Sequence, residues 1–132
     1  MGSRCPEDML SLAIAYLGNA YAPYSGYRVA AVVRDEFDRL FVGVNVENSS
    51  YGLTVCAERV AVFTAVANGA RRFRELLVVS EGPQPPIPCG ACLQVLSEFS
   101  DGDLLVYVAT TGGLCEIFKL RDLLPKPFKL GV

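Results

Sequence analysis

Two short cysteine segments limit what this chain can fold into more than any other feature. Cys56-Ala57-Glu58-Arg59 and Pro88-Cys89-Gly90-Ala91-Cys92 each stand where a helical pattern of apolar residues begins. The first opens Thr54–Asn68, with Ala57, Val60, Ala61, Thr64 and Ala65 at helical spacing and Gly69 as a stop. The second opens Cys89–Phe99, with Leu93, Val95, Leu96 and Phe99 on its apolar positions and Pro88 suited to its start. A helix start gathers free amide groups and the positive end of the helix dipole, so a thiol placed there is favoured as thiolate. Cys89 and Cys92, three apart, share a helical face. A fold that brings both helix starts together therefore presents three thiolates to one cation. Soft sulfur donors with a tetrahedral preference point to zinc.

Between and around these helices the pattern alternates. Glu7–Asn19 reads as a helix with acids in its first turn. Tyr27–Val33 and Leu40–Val44 read as strands joined by the charged turn Arg34–Asp38, and Asn45–Gly52 as a polar loop. Leu76–Val79 is a short buried strand, and the four prolines of Glu81–Pro88 demand a loop. Leu104–Ala109 and Leu114–Phe118 are strands around Thr111-Gly112-Gly113, and Leu120–Leu124 is a final short helix ended by Pro125. The order α-β-β-α-β-α-β-β-α predicts a mixed sheet with helices on its faces, an α/β sandwich.

The 132 residues fit one domain over 1–132, and 52% hydrophobic residues supply a sizeable core. A net charge of −2 gives no basic track for a nucleic-acid polymer. No apolar run approaches the ~20 residues of a membrane-spanning helix. The segment Met1–Pro6 has no hydrophobic core of a secretory signal, so a cytoplasmic location is expected. The five cysteines, an odd number, argue against a disulfide framework and for metal binding or chemistry.

The number of ligands separates a structural from a catalytic zinc site. Structural sites close with four protein ligands, whereas catalytic sites commonly keep three and leave one position to water. This chain has no histidine. A fourth ligand would have to be Cys5, Cys115 or a carboxylate. Glu58, two residues after Cys56, falls on a different side of the helix and can stand beside the metal without ligating it, ready to move protons. Taken alone, Glu58 is an ordinary acid complementing a helix dipole; three candidate ligands beside it favour the catalytic reading.

At these residues the chain resembles the homotetrameric cytidine deaminases of pyrimidine salvage. The likeness runs in order through Ala22-Pro23-Tyr24-Ser25-Gly26-Tyr27, Gly43–Asn48, Tyr51–Arg59, Pro88–Val95, and Leu123-Leu124-Pro125 followed by Phe128. It implies a three-layer α/β/α sandwich around a five-stranded mixed sheet. It also implies zinc-dependent hydrolytic deamination of cytidine and 2′-deoxycytidine to uridine and 2′-deoxyuridine, with release of ammonia. Cys56, Cys89 and Cys92 would hold one zinc ion per subunit, and Glu58 would be the proton shuttle. Asn45 and Glu47 would bind the ribose 3′-hydroxyl, Tyr27 would lie near the pyrimidine, and the Ala57 backbone would meet the base carbonyl. Tyr51 and Phe128 would reach a neighbouring subunit's site in a homotetramer. Without the resemblance, Asn45 and Glu47 could be plain loop polarity, and Tyr27, Tyr51 and Phe128 could be core or apolar surface.

The chain also departs from the family. Tyr27 stands where Phe is usual, Ile87 where Ser is common, and Leu93 where three-cysteine members carry Arg. Three thiolates and Zn²⁺ sum to −1, and nearby arginines damp that charge. Arg59 keeps one such cation and Leu93 removes another, so a more electron-rich site is expected. Three rival readings remain: a related deaminase acting on a nucleoside antibiotic such as blasticidin S, a non-catalytic zinc module, and a deaminase of bases within a nucleic acid.

Overall fold

The computed structural model describes residues 5–131; the Met1–Arg4 part of the N-terminal reading lies outside the described residues. The elements are α1 (Glu7–Leu17), β1 (Val29–Asp35), β2 (Leu40–Val44), a 3₁₀ turn (Tyr51–Leu53), α2 (Ala57–Ala67), β3 (Phe73–Ser80), α3 (Gly90–Glu98), β4 (Leu105–Thr110), β5 (Cys115–Lys119) and α4 (Leu120–Leu123). The strands form one sheet in the order β2-β1-β3-β4-β5. Only β3 and β4 run parallel; the other neighbours are antiparallel.

Alternation along the central strands divides the core into two layers. Ala31, Val33, Leu76, Val78, Val106 and Val108 face α2 and α3, packing on Ala57, Ala61, Val62, Ala65, Leu93 and Leu96. Ala30, Val32, Leu77 and Val79 face the other way, onto Met9, Ala13 and Leu17 of α1. The result is the expected three-layer sandwich with a five-stranded mixed sheet. Among the described residues no helix is long and apolar enough to cross a membrane.

Several element boundaries differ from expectation. β1 begins at Val29 and runs on through Arg34 and Asp35. β3 begins at Phe73 and takes in Arg74 and Glu75. Charged residues read as turn or loop, but here they are partnered. Arg34 lies opposite Glu75 in the ladder, and their side chains meet at 2.6 Å (Nε to Oε1). The buried Asp35 carboxylate accepts from the backbone N–H of Phe37 and Arg39, which closes the β1–β2 turn. α2 begins at Ala57 rather than Thr54 because Val55 pairs with Val46 in an isolated bridge, keeping Thr54–Cys56 extended.

The cysteine count also misled. Cys5 and Cys115 are joined by a disulfide, with their Cα atoms 6.0 Å apart. The expectation against disulfides is corrected: with three thiols gathered elsewhere, the remaining two form an even pair. They sit where the start of α1 and the start of β5 meet on the α1 face.

Candidate active site

Strand direction decides where the site forms. Val44 at the end of β2, Val29 at the start of β1 and Ser80 at the end of β3 lie at one end of the sheet. β4 runs parallel to β3 and ends there too. α2 and α3 follow β2 and β3, so both start at this end, the usual ligand-binding end of an α/β sheet. Cys56 and Cys89 are the residues capping the two helix starts, both with extended backbone. α2 lies tightly against β2: a Cβ on Gly43 would stand 2.7 Å from the Ala57 carbonyl oxygen and would also strike the Ala61 backbone nitrogen. A side chain at that position would push away the helix start that carries Cys56, Ala57 and Glu58.

The sulfur atoms of Cys56, Cys89 and Cys92 all lie within 4.8 Å of one another. Cys89 and Cys92 are 3.4 Å apart, and Nη2 of Arg59 is 3.6 Å from Cys56 Sγ. Arg59 Nε is buried and has no hydrogen-bond partner among the described residues. Hydrogen bonding from Cys92, assisted by Arg59, lowers the Cys56 thiol to about 5. The Cys92 thiol is driven upward by its bond to Cys56, by burial, and by the charges of Glu58 and Cys56. Without a cation the cluster thus resists carrying three thiolates, and a divalent soft cation relieves that conflict. The donor set therefore fits zinc. Cys5 and Cys115 belong to the opposite layer as a disulfide, so neither is available as a fourth ligand.

Glu58 is 6% exposed, next to this cluster. Burial, reinforced by the Cys56 charge, raises its carboxyl to about 7. The cavity in front measures about 300 Å³. Tyr27, Asn45, Glu47, Cys56, Ala57, Glu58 and Cys89 line it, so sequence segments far apart meet at one concavity. Cys92 is buried behind its wall.

The polar side chains of the cavity are already held in place. Asn45 Nδ2 donates to the Tyr27 carbonyl at 2.8 Å, and its Oδ1 accepts from Val29 N–H at 3.0 Å. One amide hydrogen and one lone pair remain for a ligand. Glu47 Oε1 accepts from the N–H groups of Tyr24 and Ser25 at 3.0 and 3.1 Å, and Oε2 accepts from the Ser25 hydroxyl. The Ser25 hydroxyl, followed by those two backbone donors, keeps the Glu47 carboxyl below its ordinary range.

Tyr51 stands apart, 79% exposed, on a neighbouring cavity of about 300 Å³ that shares Ser25, Glu47 and Thr54 with the first. Phe128 is 70% exposed and does not line the cavity of its own chain; Gln94 grips its backbone N–H and carbonyl, both at 3.0 Å. Leu93 packs into the apolar layer under α3. The cavity also uses Ser25, Val29, Thr54, Pro86 and Ile87, to which no role was assigned from the sequence. Ser25 and Thr54 are common in loops, and nothing in their spacing points to a site.

The chain belongs to the cytidine and deoxycytidylate deaminase zinc-binding family, whose model matches residues 3–108. It is 44% identical over 109 residues to a cytidine deaminase of Sporosarcina psychrophila, covering 83% of this chain and 80% of that one. A cytidine deaminase of Halalkalibacterium halodurans is 38% identical over 122 residues, 92% of each chain. The crystal structure of cytidine deaminase from Burkholderia pseudomallei superimposes with a TM-score of 0.89 at 40% identity, covering 94% of this chain and 99% of that one.

Proposed function

We propose that this chain hydrolyses the 4-amino group of cytidine and 2′-deoxycytidine, giving uridine or 2′-deoxyuridine and ammonia. The observation that carries this reading is the buried Glu58 carboxyl, raised to about 7, beside three clustered thiols at the wall of a nucleoside-sized cavity. Cys56, Cys89 and Cys92 hold one zinc ion per chain. When bound, zinc lowers the pKa of a water molecule towards neutrality, so that hydroxide is available near pH 7.

The protein's own groups then orient substrate and move protons. Asn45 and Glu47 hold the ribose 3′-hydroxyl with the hydrogen-bonding capacity their backbone partners leave free. The Tyr27 ring flanks the pyrimidine, and the Ala57 backbone meets the base carbonyl. Glu58 takes a proton from the attacking water and delivers it to ring N3 as oxygen bonds to C4. It then transfers the remaining hydroxyl proton to the amino group as the C4–N bond breaks and ammonia departs. A carboxyl with its pKa near 7 suits both transfers.

The site is completed in a homotetramer, where Tyr51 and Phe128 of one chain approach a neighbour's cavity. Their exposure on the single chain supports this. The chain acts as one domain over 1–132, in the cytoplasm, within pyrimidine salvage. Two measurements test the core of the reading. Ammonia release from cytidine should occur and be abolished by a chelator, and metal analysis should find one zinc per chain. A chain that releases ammonia equally well after zinc is stripped would overturn it.

A further inference from the structure

Ser80, at the end of β3, is fully buried on the same face of the strand as Leu76 and Val78. A hydroxyl placed in an apolar layer needs a partner. Its partner is the Tyr27 phenol, which donates to Ser80 Oγ at 3.0 Å. Tyr27 itself is 42% exposed and forms part of the cavity wall that also includes Glu58 and Cys89. An aromatic ring so exposed would otherwise swing about its χ angles.

Here both ends of the residue are tied. Its backbone N–H donates to Ser25 Oγ at 3.0 Å, and its carbonyl accepts from Asn45 at 2.8 Å. The far end of the ring is tied through the phenol to Ser80. Gly82 leaves room for the ring: a Cβ there would stand 3.0 Å from Tyr27 Cε1 and 3.8 Å from Ser80 Oγ.

We propose that Ser80 and Gly82 form a seat for the Tyr27 ring, and that Ser80 is thereby a positioning residue setting the aromatic wall against which a pyrimidine nucleoside binds. This rests on the proposed deaminase reading for the identity of the ligand, but not for the seat itself. Neither residue belongs to the two cysteine segments, and neither lines the cavity. The seat acts before the chemistry, by fixing the ring before substrate arrives and so lowering the ordering cost of binding. Its removal should weaken binding and leave proton transfer by Glu58 intact.

The test uses Ser80→Ala, Tyr27→Phe, the double variant and Gly82→Ala in the zinc-loaded chain. Steady-state deamination of cytidine is measured together with calorimetric binding of uridine, which needs no turnover. Ser80→Ala and Tyr27→Phe should each raise KM for cytidine and Kd for uridine about five- to tenfold, with kcat within about twofold. The double variant should be no weaker than the poorer single, since both remove the same bond. Gly82→Ala should weaken binding by displacing the ring while keeping both hydroxyls, and it covers the case in which Ser80→Ala fails to fold. Variants with unchanged KM and Kd in an active chain overturn the seat alone, as does a fall in kcat with KM unaltered. A wild-type chain that neither deaminates cytidine nor binds uridine overturns the deaminase reading and, with it, a pyrimidine nucleoside as the ligand of the aromatic wall.

Discussion

On one face of the sheet Cys56, Cys89 and Cys92 keep free thiols within 4.8 Å of one another; on the other, Cys5 and Cys115 are joined to each other. The difference lies in what surrounds the sulfur. Cys56 and Cys89 cap helix starts at the end of the sheet where β2, β3 and β4 finish, with an arginine 3.6 Å from one sulfur and an open cavity in front. Cys5 is buried in the α1 layer with Met9, Ala13 and Leu17, its sulfur bonded to that of Cys115. The three thiols thus sit among groups that favour charge, and Cys5 among apolar side chains.

Replacing Glu58 attacks the charged side of this comparison most directly. Glu58→Gln keeps the shape but removes the carboxyl proposed to carry the proton. Deamination should fall about 10²–10⁴-fold or more while zinc content stays at the wild-type level. Turnover retained within tenfold of wild type would assign the proton transfer elsewhere.

Cysteine substitutions on the two faces should separate cleanly. Cys92→Ala removes a buried donor from the cluster, and the purified chain should lose its zinc together with its activity. Cys115→Ala should keep both. Its cost is stability, about 2–4 kcal/mol under oxidising conditions, falling towards zero when the wild type is reduced. Zinc analysis with denaturant unfolding, with and without dithiothreitol, reads both effects. Zinc lost from Cys115→Ala would show that the two faces are not independent.

These two faces were not equally legible in the sequence. The element order and the three-thiol cluster followed from hydrophobic spacing and from cysteines at helix starts, which are local signals, whereas the three-layer arrangement was implied by the family resemblance. The element ends at Arg34 and Glu75 were not legible, because the two side chains find each other only once β1 and β3 lie side by side. The Cys5–Cys115 pairing spans 110 residues and leaves no local trace. Ser25 likewise carries no signal of its own. Its hydroxyl matters because the chain returns 22 residues later to set Glu47 against it.

Acidity gives a sharper reading of the charged face. Burial holds the Glu58 carboxyl up to about 7 against an ordinary 4.5. A raised acid keeps its proton in the folded chain where the unfolded chain has already released it. Its contribution to stability is therefore fully present below 4.5 and is lost as pH rises through about 7. In the metal-free chain that loss is on the order of 3 kcal/mol. Glu58→Gln lacks it, so the difference in unfolding free energy between wild type and variant should drift over this pH range and level off above it. A difference independent of pH would mean that Glu58 ionises as freely as an exposed acid.

The smallest expected effect concerns the rim of the cavity, where Ser25 supports two neighbours at once. Its hydroxyl donates to Glu47 Oε2 and accepts from the Tyr27 N–H. Ser25→Ala removes both bonds, yet Glu47 Oε1 keeps the backbone donors of Tyr24 and Ser25, and Asn45 still holds the Tyr27 carbonyl. The loss should therefore be about 1 kcal/mol, a three- to tenfold rise in KM for cytidine with kcat preserved. It should also depend on acidity. The Ser25 hydroxyl is the leading reason the Glu47 carboxyl is held below its ordinary range, so in the variant that carboxyl takes up its proton at a higher pH. The KM penalty should widen as the pH is lowered towards the carboxylate range and narrow near neutrality, where Glu47 is ionised in both proteins. A penalty constant across that range would place the whole effect in the Tyr27 contact rather than in the charge of Glu47.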